Sequence, residues 1–137
     1  MDRFAKNFIV MSVVYLAIAS LIGICMLGSR SLTHLRFVHS HLNMLGWVSM
    51  MIFGVGYHIL PRFSGRPLKS PKIGELQFWL ANIGLIGMLL FYTLWTGNPE
   101  ILFYRGIATA FGGLEVLSIL LFFYNILATL LAKPAAS

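Results

Sequence analysis

Charge and sulfur are scarce in this chain. Its 137 residues include four acidic and ten basic side chains and a single cysteine, against 58% hydrophobic residues. So little polar surface cannot cover a soluble globule, whose exposed area needs charged and polar groups. One cysteine forms neither a disulfide framework nor a thiolate metal cluster. Cys25 lies in an apolar run and is expected to be a small core residue. The middle loop, with Pro61, Gly65, Pro67, Pro71 and Gly74, lacks the spacing of a phosphate-binding loop and reads as a stiff basic connector. No internal repeat or low-complexity segment occurs, and no stretch is left for a soluble domain.

What the chain does have is apolar length. The runs Phe8 to Leu27, Phe37 to Leu60 and Leu76 to Thr96 contain no Asp, Glu, Lys or Arg, and Ile107 to Ala132 contains only Glu115. A bilayer core about 30 Å thick is crossed by roughly 20 helical residues at about 1.5 Å each, so all four runs reach across. Short connections make neighbours antiparallel. The expectation is an all-α membrane protein: a single four-helix transmembrane domain over residues 1–137, packed as an antiparallel bundle. Arg3 and Lys6 before an apolar run, with Ala17-Ile18-Ala19 behind, imitate a signal peptide. That reading fails because the run continues through Leu21, Ile22, Ile24 and Met26.

Basic residues set the expected orientation. Arg3, Lys6, Arg62, Arg66, Lys69, Lys72 and Lys133 fall on one side of a four-span chain, and Arg30, Arg36 and Arg105 on the other. The positive-inside rule puts both termini in the cytoplasm. The net charge of +6 is met by anionic lipid, so no nucleic-acid partner is expected. The three tryptophans and five tyrosines are read mostly as packing or interface-belt residues.

All four histidines lie between His34 and His58, and His39, His41 and His58 are on the second run. His34 and His58 are expected at the two interfaces, where a ring reaches headgroups or loop carbonyls. His39 and His41 sit at lipid depth, where an imidazole must find a partner. Two readings stand: ligation of a membrane b-type heme, for which imidazole is the usual axial ligand, and interhelical hydrogen bonding. At about 100° per residue the two rings point about 200° apart, so one helix cannot place both on the same iron. His39 shares its face with Asn43 and Gly46, where a glycine leaves space for a flat macrocycle or for close helix packing. His58 is about 28 Å from His39 along a helix and cannot join its site. Arg36, one turn before His39, is a candidate to pair with heme propionates, or with lipid headgroups. Glu115 is either a proton or polar relay or a protonated acid bonded to a neighbouring helix.

These residues resemble a known family. Val38-His39-Ser40-His41, then Gly54, then Tyr57-His58-Ile59-Leu60-Pro61-Arg62-Phe63-Ser64-Gly65 is similar to the tenth helix of subunit I of heme-copper oxidases. Leu35-Arg36 followed by His39 also resembles the second-helix heme-ligand segment of the nitric oxide reductase and cbb-type branches. The match covers residues 38–65 best.

The family's subunit I has twelve helices in three arcs of four, with heme ligands from the second helix of each arc, and this chain resembles one arc. The resemblance implies a homotrimer in a bacterial or archaeal-type cytoplasmic membrane, with one heme b clamped between His41 of one protomer and His39 of its neighbour. It also implies that Arg105, just before the fourth helix, pairs with heme propionates; a contact with lipid headgroups is the other reading of this residue. The family's copper site needs His-x-x-x-Tyr and His-His motifs, and neither occurs here. No copper centre, and so no complete oxidase, is expected. Two histidine ligands leave the iron no open position, which implies a low-spin electron-transfer cytochrome with a separate electron donor and acceptor. A single ligand would instead leave a five-coordinate heme for binding, reducing or sensing NO or O2. A heme-free assembly or scaffold protein is the third class.

Overall fold

A computed structural model describes residues 1–132. Lys133, counted above among the inside basic residues, lies outside the described residues. Helix α1 (Arg3–Gly28) is followed by a 3-10 turn (Arg30–Leu35), helix α2 (Arg36–His41), a π-helical stretch (Leu42–Ser49) and helix α3 (Met50–Phe63). Helices α4 (Pro71–Gly97) and α5 (Leu102–Leu130) complete the order. The pieces from Arg30 to Phe63 run on as one path, so four helices are long and apolar enough to cross a membrane. The all-α architecture of four spans expected from the sequence is what the fold has.

Local chemistry explains the ends. Ser70 caps α4 by accepting from the Ile73 amide at 3.3 Å, and Pro71 opens the helix where its missing N–H costs nothing. The Pro61-to-Gly65 motif is a helix stop. Gly65 takes φ +63°, its N–H bonds the Arg62 carbonyl at 3.1 Å, and the Arg66 N–H bonds the Pro61 carbonyl at 3.0 Å. Those two bonds form a Schellman cap, which needs a left-handed residue and so favours glycine.

The π-helical stretch begins directly after His41. Its wider turns leave carbonyls offset, and Ser49 Oγ bonds the Met44 carbonyl five residues back at 2.9 Å. Nothing in the apolar pattern announced it.

Lipid is as apolar as leucine, so the bundle is held by close packing and interhelical polar bonds rather than by burial from water. Toward the chain's N-terminal end Phe8 meets Phe53 at 5.6 Å and Phe78 at 5.1 Å, and Tyr57 meets Phe122 edge-on at 5.2 Å. Between α4 and α5 runs a polar seam. Asn125 accepts from the Ser70 amide at 3.0 Å and donates to its carbonyl at 2.8 Å, Thr129 accepts from the Lys69 amide at 2.9 Å, and Ser118 donates to the Gln77 carbonyl at 3.3 Å. Farther along, Gly84 lies so close to α5 that a Cβ there would stand 2.8 Å from the Glu115 amide nitrogen.

One core expectation fails. Cys25 is exposed on α1 instead of packed in the core. An apolar neighbourhood in sequence does not say which side of a membrane helix meets protein, because both sides are apolar.

Candidate functional site

His39 and His41 lie on α2, held in place by different elements. The His39 Nδ1 is 2.9 Å from the Ala19 carbonyl of α1. Its ring packs on Gly23, where an added Cβ would stand 2.9 Å from His39 Cε1. Asn43 Nδ2 donates to the His39 carbonyl at 2.9 Å and lies 3.4 Å from His39 Nε2. The His41 Nδ1 is 2.9 Å from the Phe37 carbonyl, one turn back on its own helix. A carbonyl can only accept, so each ring carries its proton on Nδ1 and keeps the lone pair on Nε2. Among the described residues no hydrogen bond reaches the His41 Nε2.

The His41 ring is also stacked. Its centroid is 3.8 Å from that of Phe37 with 31° between planes, and Phe37 is 3.8 Å from Tyr92 of α4 at 18°. Tyr92 meets Trp95 edge-on at 5.8 Å, and the Arg105 guanidinium lies 5.6 Å over the Trp95 ring. His41 borders a hollow of about 200 Å³ with Ser40, Met44 and Leu45. A groove of about 520 Å³ is lined by Phe37 of α2, Met88, Tyr92 and Trp95 of α4, and Arg105, Ala108 and Gly112 of α5.

The remaining candidates scatter. Gly46 is buried, and a Cβ on it would stand 2.9 Å from Tyr15 and 3.2 Å from Leu85. The space expected there for a macrocycle is filled by those two side chains, so this glycine serves helix packing. Arg36 is exposed. Three rings separate Arg105 from His41 within the protomer. His34 sits in the 3-10 turn with Nδ1 2.7 Å from the Ser31 carbonyl, and His58 contacts Arg62 near the end of α3, so neither joins His39 or His41. Glu115 is 2% exposed, and neither carboxyl oxygen has a hydrogen-bond partner among the described residues.

Two features escaped sequence reasoning. Phe37 is four residues before His41, so its place beneath the ring was available from helical spacing. The partners Ala19 and Tyr92 belong to other spans, and no local pattern points to them. A buried bond from the Tyr15 hydroxyl to Asn82 Oδ1 at 2.8 Å ties α1 to α4 in the same way.

Comparison with known proteins agrees with the resemblance. The family model for Cytochrome C and Quinol oxidase polypeptide I matches residues 3–136. The chain is 42% identical over 69 residues to the cytochrome c oxidase subunit 1 of Rhodobacter capsulatus, a match covering 49% of this chain and 13% of that one. It is 37% identical over 71 residues to a Cbb3-type cytochrome c oxidase subunit of Stutzerimonas stutzeri, covering 50% of this chain and 15% of that one. The chain therefore spans only a small part of the length of these relatives. No solved structure matches. With a family match running nearly from end to end and four apolar spans in the fold, the chain belongs to the cytochrome c and quinol oxidase polypeptide I family.

Proposed function

We propose that this chain is a membrane cytochrome unit that holds a low-spin b-type heme between His41 of one protomer and His39 of a neighbour in a homotrimer, and that it transfers electrons. The observation that carries this reading is the matching tautomer of the two rings. Each directs its Nδ1–H to a backbone carbonyl at 2.9 Å, which makes Nε2 the coordinating atom; the His41 Nε2 meets no donor among the described residues, and the His39 Nε2 would exchange Asn43 Nδ2, 3.4 Å away, for the metal. Histidines that bind a metal are held this way, because the second bond fixes ring orientation and raises ligand basicity. His41 offers Nε2 beside an apolar hollow. The two rings are held by different elements, which suits ligands serving two hemes instead of one.

Heme held there by His41 of one protomer and His39 of a neighbour would supply a one-electron couple. The protein's part is to hold the rings, keep water out with Met44 and Leu45, and pair the porphyrin carboxylates with cations. Arg36, exposed one turn before His39, is the nearer candidate within a protomer. Arg105 serves the same purpose only where assembly brings it to a neighbour's heme. Glu115 is a proton or polar relay in this reading, not a ligand. Both termini face the cytoplasm of a bacterial inner membrane, with the histidine pair toward the outer side, as the basic residues favour.

A second reading draws on one contact. Asn43 Nδ2 lies 3.4 Å from the His39 Nε2 and competes for its lone pair. If His39 keeps that bond, His41 is the only ligand and the iron is open to NO or O2.

Visible spectra of oxidised, reduced and carbon monoxide-treated protein separate the two, with pyridine-hemochrome quantification per chain. The electron-transfer reading expects a low-spin spectrum indifferent to carbon monoxide. It also expects His39→Ala or His41→Ala to lose heme or turn it high-spin, while His58→Ala changes nothing. A carbon monoxide shift in the unaltered protein favours gas chemistry, and absence of heme after reconstitution refutes both.

A further inference from the structure

We infer that Phe37 and Tyr92 are positioning residues that clamp the His41 imidazole and fix the plane and tautomer it offers to a ligand. The inference rests on the heme reading above for its function but not for its geometry. Phe37 grips His41 twice. Its carbonyl accepts the Nδ1–H at 2.9 Å, and its ring lies against the imidazole with centroids 3.8 Å apart. A hydrogen bond alone leaves the ring free to rock about the N–H···O axis, and a stacked face removes that freedom. Phe37 is itself held from behind by Tyr92, 3.8 Å away and within 18° of parallel. Tyr92 abuts Trp95, which lies under the Arg105 guanidinium.

The consequence is structural and electronic. His41 belongs to the second span, yet its ring plane is set by a ladder anchored on α4 and closed by a cation from α5. Half-exposed side chains on a membrane surface sample several rotamers, and this one is confined without being buried. The partner of a ligating histidine's N–H fixes its tautomer and orientation and raises its basicity, so a clamp on His41 would tune a heme held there.

The test uses the whole protein, with and without heme. With histidines alone labelled, nitrogen NMR of heme-free protein reads the His41 tautomer, the four imidazoles being assigned by single His→Gln variants. The unaltered protein is expected to hold the Nδ1–H form. Phe37→Leu and Tyr92→Leu should each shift the ratio of the two tautomers by roughly fivefold, the weight of one aromatic pair. Tyr92→Phe and Phe37→Tyr, which keep the rings, should restore it. In heme-loaded protein the two leucine variants should broaden the low-spin electron paramagnetic resonance signal and move the reduction potential, while Phe91→Leu, away from the ladder, should do neither. A His41 with no tautomer bias in the unaltered protein overturns the clamp. So do leucine variants that leave the tautomer ratio, resonance signal and potential in place. If the tautomer responds as expected but no heme binds, the clamp stands and the heme reading falls.

Discussion

Gly84→Ala against Gly113→Ala is the comparison that most directly probes how the α4–α5 pair is built. Both glycines are inside helices, so both variants gain about 1 kcal/mol from alanine's better helix propensity. Their surroundings differ. A Cβ at Gly113 meets nothing within 4 Å. A Cβ at Gly84 would stand 2.8 Å from the Glu115 amide nitrogen, 3.1 Å from the Phe111 carbonyl oxygen and 3.2 Å from the Glu115 Cα. All three are backbone atoms of α5, so no side chain can swing away and the helices must separate. Overpacking of this kind costs about 1–3 kcal/mol, and an unyielding backbone puts Gly84 near the upper end. Gly84→Ala should therefore be destabilised by about 2 kcal/mol net, while Gly113→Ala is stabilised by about 1 kcal/mol. The difference of about 3 kcal/mol is roughly a hundredfold in the unfolding equilibrium. Reversible unfolding in mixed detergent micelles, followed by circular dichroism, measures it. Equal midpoints for the two variants would refute the close seam on which the Asn125, Ser118 and Gly84 contacts depend.

Other outcomes follow from the same contacts. Tyr15→Phe strips the donor from a buried 2.8 Å bond and leaves Asn82 Oδ1 unpaired, for a loss of about 1–3 kcal/mol in the same titration. Tyr15→Phe/Asn82→Leu should recover part of that loss, and a double variant worse than the single one contradicts the pairing. Gly65→Val forces a branched side chain into φ +63° and should cost more than about 1 kcal/mol, whereas Gly65→Asn should cost less, because asparagine tolerates the left-handed region. Glu115→Gln keeps the shape and breaks no bond, since neither oxygen has a partner among the described residues. Stability should change little, since one buried polar group without a partner replaces another of the same shape. A large loss would reveal a partner for the carboxyl group that the fold as described does not supply.

Much of the architecture was legible along the chain. Transfer of a side chain into lipid depends on that side chain and a window of neighbours, so the four spans and their short connections could be read by summation. The middle connector is shorter than the sequence reading makes it. Pro61, Pro71 and Gly74 are expected in it, but Pro61 is inside α3 and Pro71 and Gly74 are inside α4. Ser70 caps α4 and Gly65 ends α3, and a count of apolar residues does not register caps. The stacking of Phe37 on His41 was within reach of helical spacing, at four residues' separation.

Rotational placement was not legible, and tertiary structure decided it. In water an amphipathic stripe tells which face of a helix is inside, but in lipid both faces are apolar. Cys25 therefore looked like a core residue and faces outward, and Gly46, for which macrocycle room and close helix packing both stood open, is packed against Tyr15 and Leu85. The clustered histidines were the sequence's candidate for a site. Which atom each ring presents depends on carbonyls and rings of other turns and spans: Ala19 for His39, and Phe37 backed by Tyr92 for His41. Span location follows from energies that add up locally. Partner choice follows from which surfaces meet, and only the packed bundle brings residues 19 and 39, or 37 and 92, within bonding distance.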